Sequence, residues 1–132
     1  PAAINRTARL AEGWLGTPSS TPQQAKEQLN QYRQACAEHQ RKPSAVALRR
    51  DIFIGASVRQ AEEFRSHAVA KGYRGFPEDA LICGDISQVA TQFAELFEAG
   101  FTDIIVRNMA SDQGQALATI EALSDVKRQL RL

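Results

Sequence analysis

Five charged residues set into two apolar segments have the best claim to chemistry in this sequence. They are Arg49, Arg50 and Asp51 within Leu48–Gly55, and Asp103 and Arg107 at the ends of Asp103–Arg107. Both segments are β-rich and end at a turn signal, so each reads as a strand whose side chains alternate between two faces. Alternation puts Leu48, Arg50, Ile52 and Ile54 on one face of the first, and Arg49, Asp51, Phe53 and Gly55 on the other. In the second it sets Ile104 and Val106 against Asp103, Ile105 and Arg107. The more apolar faces are expected to meet helices. Buried charges survive when paired, so Arg49, Asp51 and Asp103 are expected to form a charge-balanced interior cluster. Simple side-by-side register would bring Arg49 near Asp103 and Arg107 near Phe53. Arg107 differs from the others because it ends its strand, just before Asn108-Met109-Ala110 and a helix start. Cofactor and anion sites of α/β proteins form at such ends, where free amides and the helix dipole point outward; the plainer alternative is a surface arginine. Trp14, in the short run Gly13-Trp14-Leu15, is either a stacking platform at a strand end or a packing residue.

Other reactive groupings are missing. His39 and His67 fall in mid-helix among polar neighbours and read as solvated, so no Ser/His/Asp or Cys/His constellation is available. The glycines of Gly13-Trp14-Leu15-Gly16 match no phosphate cradle. The adjacent carboxylates Glu62-Glu63 and Glu78-Asp79 do not make an acid/base couple, since helical geometry turns the first pair apart. Two cysteines, Cys36 and Cys83, are too few for a metal cluster or a disulfide scaffold and read as buried free thiols in a reducing cytoplasm. No catalytic residue and no metal ligand is assigned.

Helix-start signals show what positions these residues. Thr21-Pro22-Gln23-Gln24 combines an N-cap, proline at the first helical position and a capping-box glutamine, opening a helix over about 22–40 that Pro43 cannot join. Ser57-Val58-Arg59-Gln60 opens a second, ending near Gly72. Asp85 caps a third, with Val89, Phe93, Leu96 and Phe97 on one stripe and Gly100 as its stop. Ser111 starts a fourth, with Leu117, Ile120, Leu123 and Val126 expected to face inward. Strands near 13–15, 48–55 and 103–107 alternate with these helices, which implies right-handed crossovers and a parallel sheet. Residues 73–84 read as an insertion in the long crossover.

The chain has 132 residues, room for one domain over 1–132 but not for a complete eight-stranded α/β barrel of about 250 residues. Its 16 Lys+Arg against 15 Asp+Glu give no electrostatic case for nucleic acid or an anionic membrane. No apolar run approaches the roughly 20 residues of a membrane span, and the opening Pro1–Arg9 lacks a secretory leader pattern. A cytoplasmic protein is expected.

Several stretches together resemble the later part of the luciferase-like flavin-dependent monooxygenases, the bacterial luciferase family. They are Ala8–Leu15 followed by Thr21-Pro22-Gln23-Gln24, then Leu48–Phe53, and Cys83–Ala90 continuing through Leu96–Arg107. The order and spacing of these stretches carry the likeness, not any single motif. The resemblance implies the last three βα units of a TIM-type (β/α)8 barrel, an incomplete barrel with parallel strands. It implies oxidoreductase or monooxygenase chemistry on FMN or its deazaflavin analogue with a small-molecule substrate, and leaves open whether this piece holds either cofactor alone. Arg107, Asn108 and Trp14 are carried over as cofactor-pocket candidates. Such a portion is not expected to be active alone, because the family's first five strands are missing from this sequence. Its unpaired edges and uncovered face point to a homo-oligomer. The competing reading is a non-catalytic half-barrel that serves binding or assembly.

Overall fold

A computed structural model describes residues 1–132. The chain runs α1 (Ala2–Leu10), β1 (Gly13–Gly16), α2 (Pro22–Glu38), β2 (Ala45–Ile54), α3 (Val58–Ala70), two 3-10 turns (Tyr73–Gly75 and Glu78–Ala80), β3 (Leu81–Gly84), α4 (Ile86–Ala99), β4 (Asp103–Asn108) and α5 (Gln113–Gln129). Three helix starts follow the expected chemistry, and the fourth is capped by Asp112, one residue after the expected Ser111. Thr21 and Asp85 each form a reciprocal capping box, with Gln24 and Gln88 respectively. Ser57 accepts from the Gln60 amide, while the Gln60 side chain takes the amide of Ala56 and not that of Ser57. Gly100 stops α4 at a φ of 112°, a left-handed conformation that glycine adopts without a Cβ clash. No helix is long and apolar enough to cross a membrane.

All strand pairs are parallel. β2 is the hub: Leu48 faces Gly16 of β1 and Ile104 of β4, while Ile52 faces Ile82 of β3 and Asn108 of β4. A strand has only two edges, so β1 and β3 lie end to end along one edge of β2 and β4 lines the other. The sheet has four strands but is three strands wide. The expectation of a plain insertion over 73–84 is therefore corrected at its end, where Leu81–Gly84 pair with the upper half of β2. Short β1 leaves that stretch of edge unsatisfied, and Leu-Ile-Cys fills it. The helix α1 ahead of β1 is a further element that the sequence reading did not name.

Val46, Leu48, Ile52 and Ile54 point to one side of β2 and join the main core with Leu29 and Tyr32 of α2, Val89, Phe93 and Leu96 of α4, and Val126 of α5. A second, smaller core forms on the opposite side, where α3 and the Tyr73 turn cover Phe53, Leu81 and Cys83. Gly55 permits that approach: a Cβ there would lie 2.8 Å from the amide nitrogen of Ala61. Helix α5 meets the expectation only in part. Thr119 and Val126 are its buried residues, while Leu117 and Ile120 are 52% and 56% exposed. Of the stripe expected to face inward, Val126 is buried and Leu123 packs on the main core, while Leu117 and Ile120 lie on a side of α5 that no element of this chain covers.

Candidate functional site

The side of the sheet away from the main core is the candidate site. Its rows follow from the register. Leu15, Ala47 and Asp103 lie side by side at the bottom; Arg49 and Ile105 come next; then Leu81, Asp51 and Arg107. The expected neighbours are thus displaced by two residues. Asp103 faces Ala47, not Arg49, and Arg107 faces Asp51, not Phe53.

The expected cluster of Arg49, Asp51 and Asp103 is not present. Asp51 is fully buried, and its cation is Arg74, whose Nη1 lies 3.1 Å from Oδ2. The phenol of Tyr73 donates to the same oxygen at 3.2 Å, and Oδ1 has no partner. Tyr73 and Arg74 come from a turn in which Gly72, Tyr73, Arg74 and Gly75 all have positive φ. Non-glycine residues there are strained. The ring of Phe76 anchors this turn, with Tyr73 edge-on to it and the Arg74 guanidinium 4.6 Å above its centroid. Burial, with Asp51 alongside, pushes the Tyr73 phenol well above its usual range, so it stays a neutral donor. Sequence reasoning missed this clamp; the available signal was an aromatic-cationic pair flanked by Gly72 and Gly75.

Below the clamp the face is open. Leu15 and Ile105 are 55% and 48% exposed, Arg107 and Asp103 are exposed, and Arg49 is half-buried. Neither Arg49 nor Arg107 has a carboxylate within 4.0 Å. Two free guanidiniums beside two bare aliphatic side chains make a surface suited to a flat, apolar group with an anionic edge. Its one exposed carboxylate is Asp103, in the bottom row, and no histidine, cysteine or serine lies in these rows.

The three pocket candidates do not converge. Arg107 reaches the open face. Trp14 lies on the opposite side, half-buried against the main core, its ring 5.4 Å from that of Tyr32 and 6.4 Å from that of Phe101. It is paired with Val46, whereas Arg107 is paired with Asp51. Five residue levels separate them along β2, about 16 Å at roughly 3.3 Å per residue. Asn108 shares the helix side. Its Nδ2 donates to the Ala116 carbonyl at 2.9 Å and its Oδ1 accepts from the Ala110 amide at 3.1 Å, so both polar groups close the loop into α5. The expected outward amides are also taken: Asp112 accepts from Gly114 and Gln115 at the start of α5.

Arg50 shows the opposite arrangement. It is almost fully buried on the helix side; Nη1 donates to the Pro18 carbonyl at 3.5 Å and Nη2 has no partner. Burial pulls its pKa down. Burial also pushes the Cys83 thiol up to about 11, against the opposing charge of Arg65; its Sγ donates to the Ala61 carbonyl. Both cysteines are free and buried. His67 is exposed, and His39 meets the Asn5 side chain at 3.0 Å.

No family model and no curated protein sequence matches the chain. Solved structures do. The monooxygenase RslO1 from Streptomyces bottropensis superposes with a TM-score of 0.78 at 15% identity, over 100% of this chain and 46% of that one. An F420-dependent secondary alcohol dehydrogenase, solved with an F420-acetone adduct, gives 0.73 at 13% identity over 100% and 47%. The oxygenating constituent of 3,6-diketocamphane monooxygenase from Pseudomonas putida, solved with FMN, gives 0.65 at 16% over 92% and 43%. The chain spans under half the length of each. At these identities the likeness is one of fold: this open parallel sheet with its helices is an incomplete barrel, built as a little under half of these α/β-barrel structures is built.

Proposed function

We propose that this chain is the C-terminal portion of a luciferase-like, flavin-dependent monooxygenase or oxidoreductase and is not active alone. Its open face would form part of the wall of the cofactor and substrate cavity. The single observation that carries the reading is that face: exposed, bordered by strands with free edges, and presenting Arg49, Ile105 and Arg107 without partners in the chain. Its rows carry no histidine, cysteine or serine, which suits a protein whose cofactor supplies the reactivity.

FMN or deazaflavin F420 fits the donor set of this face, since each combines a flat ring with anionic groups. When bound in a complete barrel, either would supply hydride transfer, FMN also the reaction with oxygen. This chain's residues would bind and shield. Arg107 would hold an anionic edge of cofactor or substrate by a charge-assisted hydrogen bond. Leu15 and Ile105 would pack on a ring and keep water from it. Trp14 and Asn108 would contribute from behind, Trp14 by fixing β1 on α2 and Asn108 by fixing the loop that follows Arg107. The substrate would be a small molecule, and the setting a cytoplasmic one.

The test is to join residues 1–132 to an upstream segment carrying the missing βα units and to titrate FMN and F420, following absorbance and melting temperature. The joined protein is expected to bind one of them and the isolated chain to show no turnover. Arg107→Ala in the joined protein should weaken binding about tenfold, the scale of one charged hydrogen bond. A joined, folded protein indifferent to both cofactors would overturn the reading.

A further inference from the structure

The outer edges of the sheet are unequal. Along β3 the edge is plugged. The Gly84 carbonyl accepts from Gly55 at the end of β2, so by alternation the carbonyls of Leu81 and Cys83 point away from β2. Arg65 Nη2 donates to both, at 3.4 and 3.3 Å, and Gln92 Nε2 adds a bond to the Cys83 carbonyl at 3.3 Å. Side chains there satisfy what another strand would. β1 is only four residues long with a glycine at each end, a poor template for pairing. β4 has six residues, Asp103–Asn108, contains no proline and pairs only with β2. Met109 donates its amide to the Ile52 carbonyl at 2.9 Å. By alternation the backbone groups of Ile105 and Arg107 also face β2, and those of Ile104 and Val106 face outward.

We propose that a second copy of this chain docks on that edge, the two β4 strands running antiparallel about a two-fold axis at Ile105. In this register Ile104 lies opposite Val106 of the second copy, and these are the residues whose amides and carbonyls are free to bond. Asp103 lies opposite Arg107 of the second copy, twice, and Ile105 lies opposite Ile105. All three are exposed, on one face and without an ion-pair partner in their own chain. The strand is thus complementary to itself reversed. A parallel copy in register would set Asp103 beside Asp103 and Arg107 beside Arg107, which cross-strand energetics disfavours. Beside the same edge, on the helix side, runs a groove of about 240 Å³ whose lining includes Phe93, Phe97, Ile104, Val106, Leu123 and Leu130. The two-fold brings the two grooves together and covers both. The inference does not depend on the proposed flavin chemistry. It uses the edge that a complete barrel would fill and so describes this 132-residue chain.

Sedimentation velocity over a wide concentration range is expected to show a monomer–dimer equilibrium. Asp103→Arg and Arg107→Asp each replace two attractive cross-strand pairs by two repulsive ones, and each should weaken the dimer at least about tenfold. The double variant D103R/R107D restores both pairs in reverse and should recover most of that loss. Ile105→Cys should give a disulfide-linked dimer on mild oxidation, because directly opposed Cβ atoms lie about 4.5–5.5 Å apart. Leu15→Cys, exposed on the same face but on β1, should not. Every substituted position is exposed, so circular dichroism should report an unchanged fold. A chain monomeric at every concentration would overturn the proposal, as would a dimer indifferent to Asp103→Arg or cross-linked equally well through Leu15→Cys.

Discussion

Asp51 and Arg107 face each other across β2 and β4, yet one is sealed from water and the other lies open. The difference lies in what covers each end of one sheet face. The upper end is finished by residues that follow soon after in the chain: α3 lays Phe64 flat against Phe53, ring centroids 3.9 Å apart, and the Tyr73–Gly75 turn closes over Asp51. The lower end, with Leu15, Arg49 and Ile105, and the β4 side of the Asp51 row, with Arg107, have no covering element in these 132 residues. The upper end therefore contributes to folding, and the lower end stays open.

Substitutions should separate the two ends by the size of their effects. Phe53→Ala removes a buried, stacked ring and is expected to cost about 3–5 kcal/mol, read from urea unfolding. Ile105→Ala, on the same face, should cost under about 1 kcal/mol at concentrations where the chain is monomeric. Comparable losses at the two positions would show that the lower end is covered after all. Next in size is the clamp. Arg74→Ala leaves a buried carboxylate without its cation and should cost about 2 kcal/mol, the side chain being partly exposed and Tyr73 still donating. Tyr73→Phe should cost about 1 kcal/mol. If both are neutral, the strained turn holds itself in place and Asp51 does not.

How much of this was legible in the sequence follows the same division. Features fixed by neighbours a few residues away were readable: the capping residues Thr21, Ser57 and Asp85, the stop at Gly100, and the two-faced alternation of β2. The strand register was not. It is set by how β2 and β4 pack over the whole core, and a displacement of two residues keeps every side chain on its face, so patterning alone cannot detect it. The inward face of α5 was half legible: Leu123 and Val126 do pack on the core, but Leu117 and Ile120 continue the same apolar stripe, and the sequence does not say that their side of the helix lies uncovered. Leu81–Gly84 was too short to declare itself a strand without the vacancy above β1. Of the site residues, Arg107 could be placed from its position at a strand end. Trp14 could not, because the side to which a four-residue strand turns its tryptophan depends on α2.

Cys83 offers a finer test of how well the upper end is sealed. Its pKa of about 11 against an ordinary 9.0 means the folded chain keeps a proton that the unfolded chain loses. Stability from this group is therefore fully present below pH 9 and falls as pH rises toward 11, by at most about 1.4 kcal/mol per pH unit. Cys83→Ala should flatten that part of the stability–pH curve, whatever it does to stability at neutral pH. The thiol should also react with a disulfide reagent at pH 8 far more slowly than a free cysteine, since thiolate fraction and access both control the rate. Rapid labelling would mean that α3 and the clamp open readily.

The smallest effect on folding is expected at Arg107, and it sharpens the contrast most. The side chain is exposed, bonded to nothing in the chain and distant from the main core, so Arg107→Ala should move the unfolding free energy by no more than about 0.5 kcal/mol. The same change should weaken cofactor binding in a completed barrel and self-association of the isolated chain, because both use a guanidinium left free on the open end. A substitution silent in folding but felt in both binding assays would mark that end as a contact surface. If Arg107→Ala instead unfolded the chain, the two ends would be alike, and the open face would be a structural wall held up by its own charges.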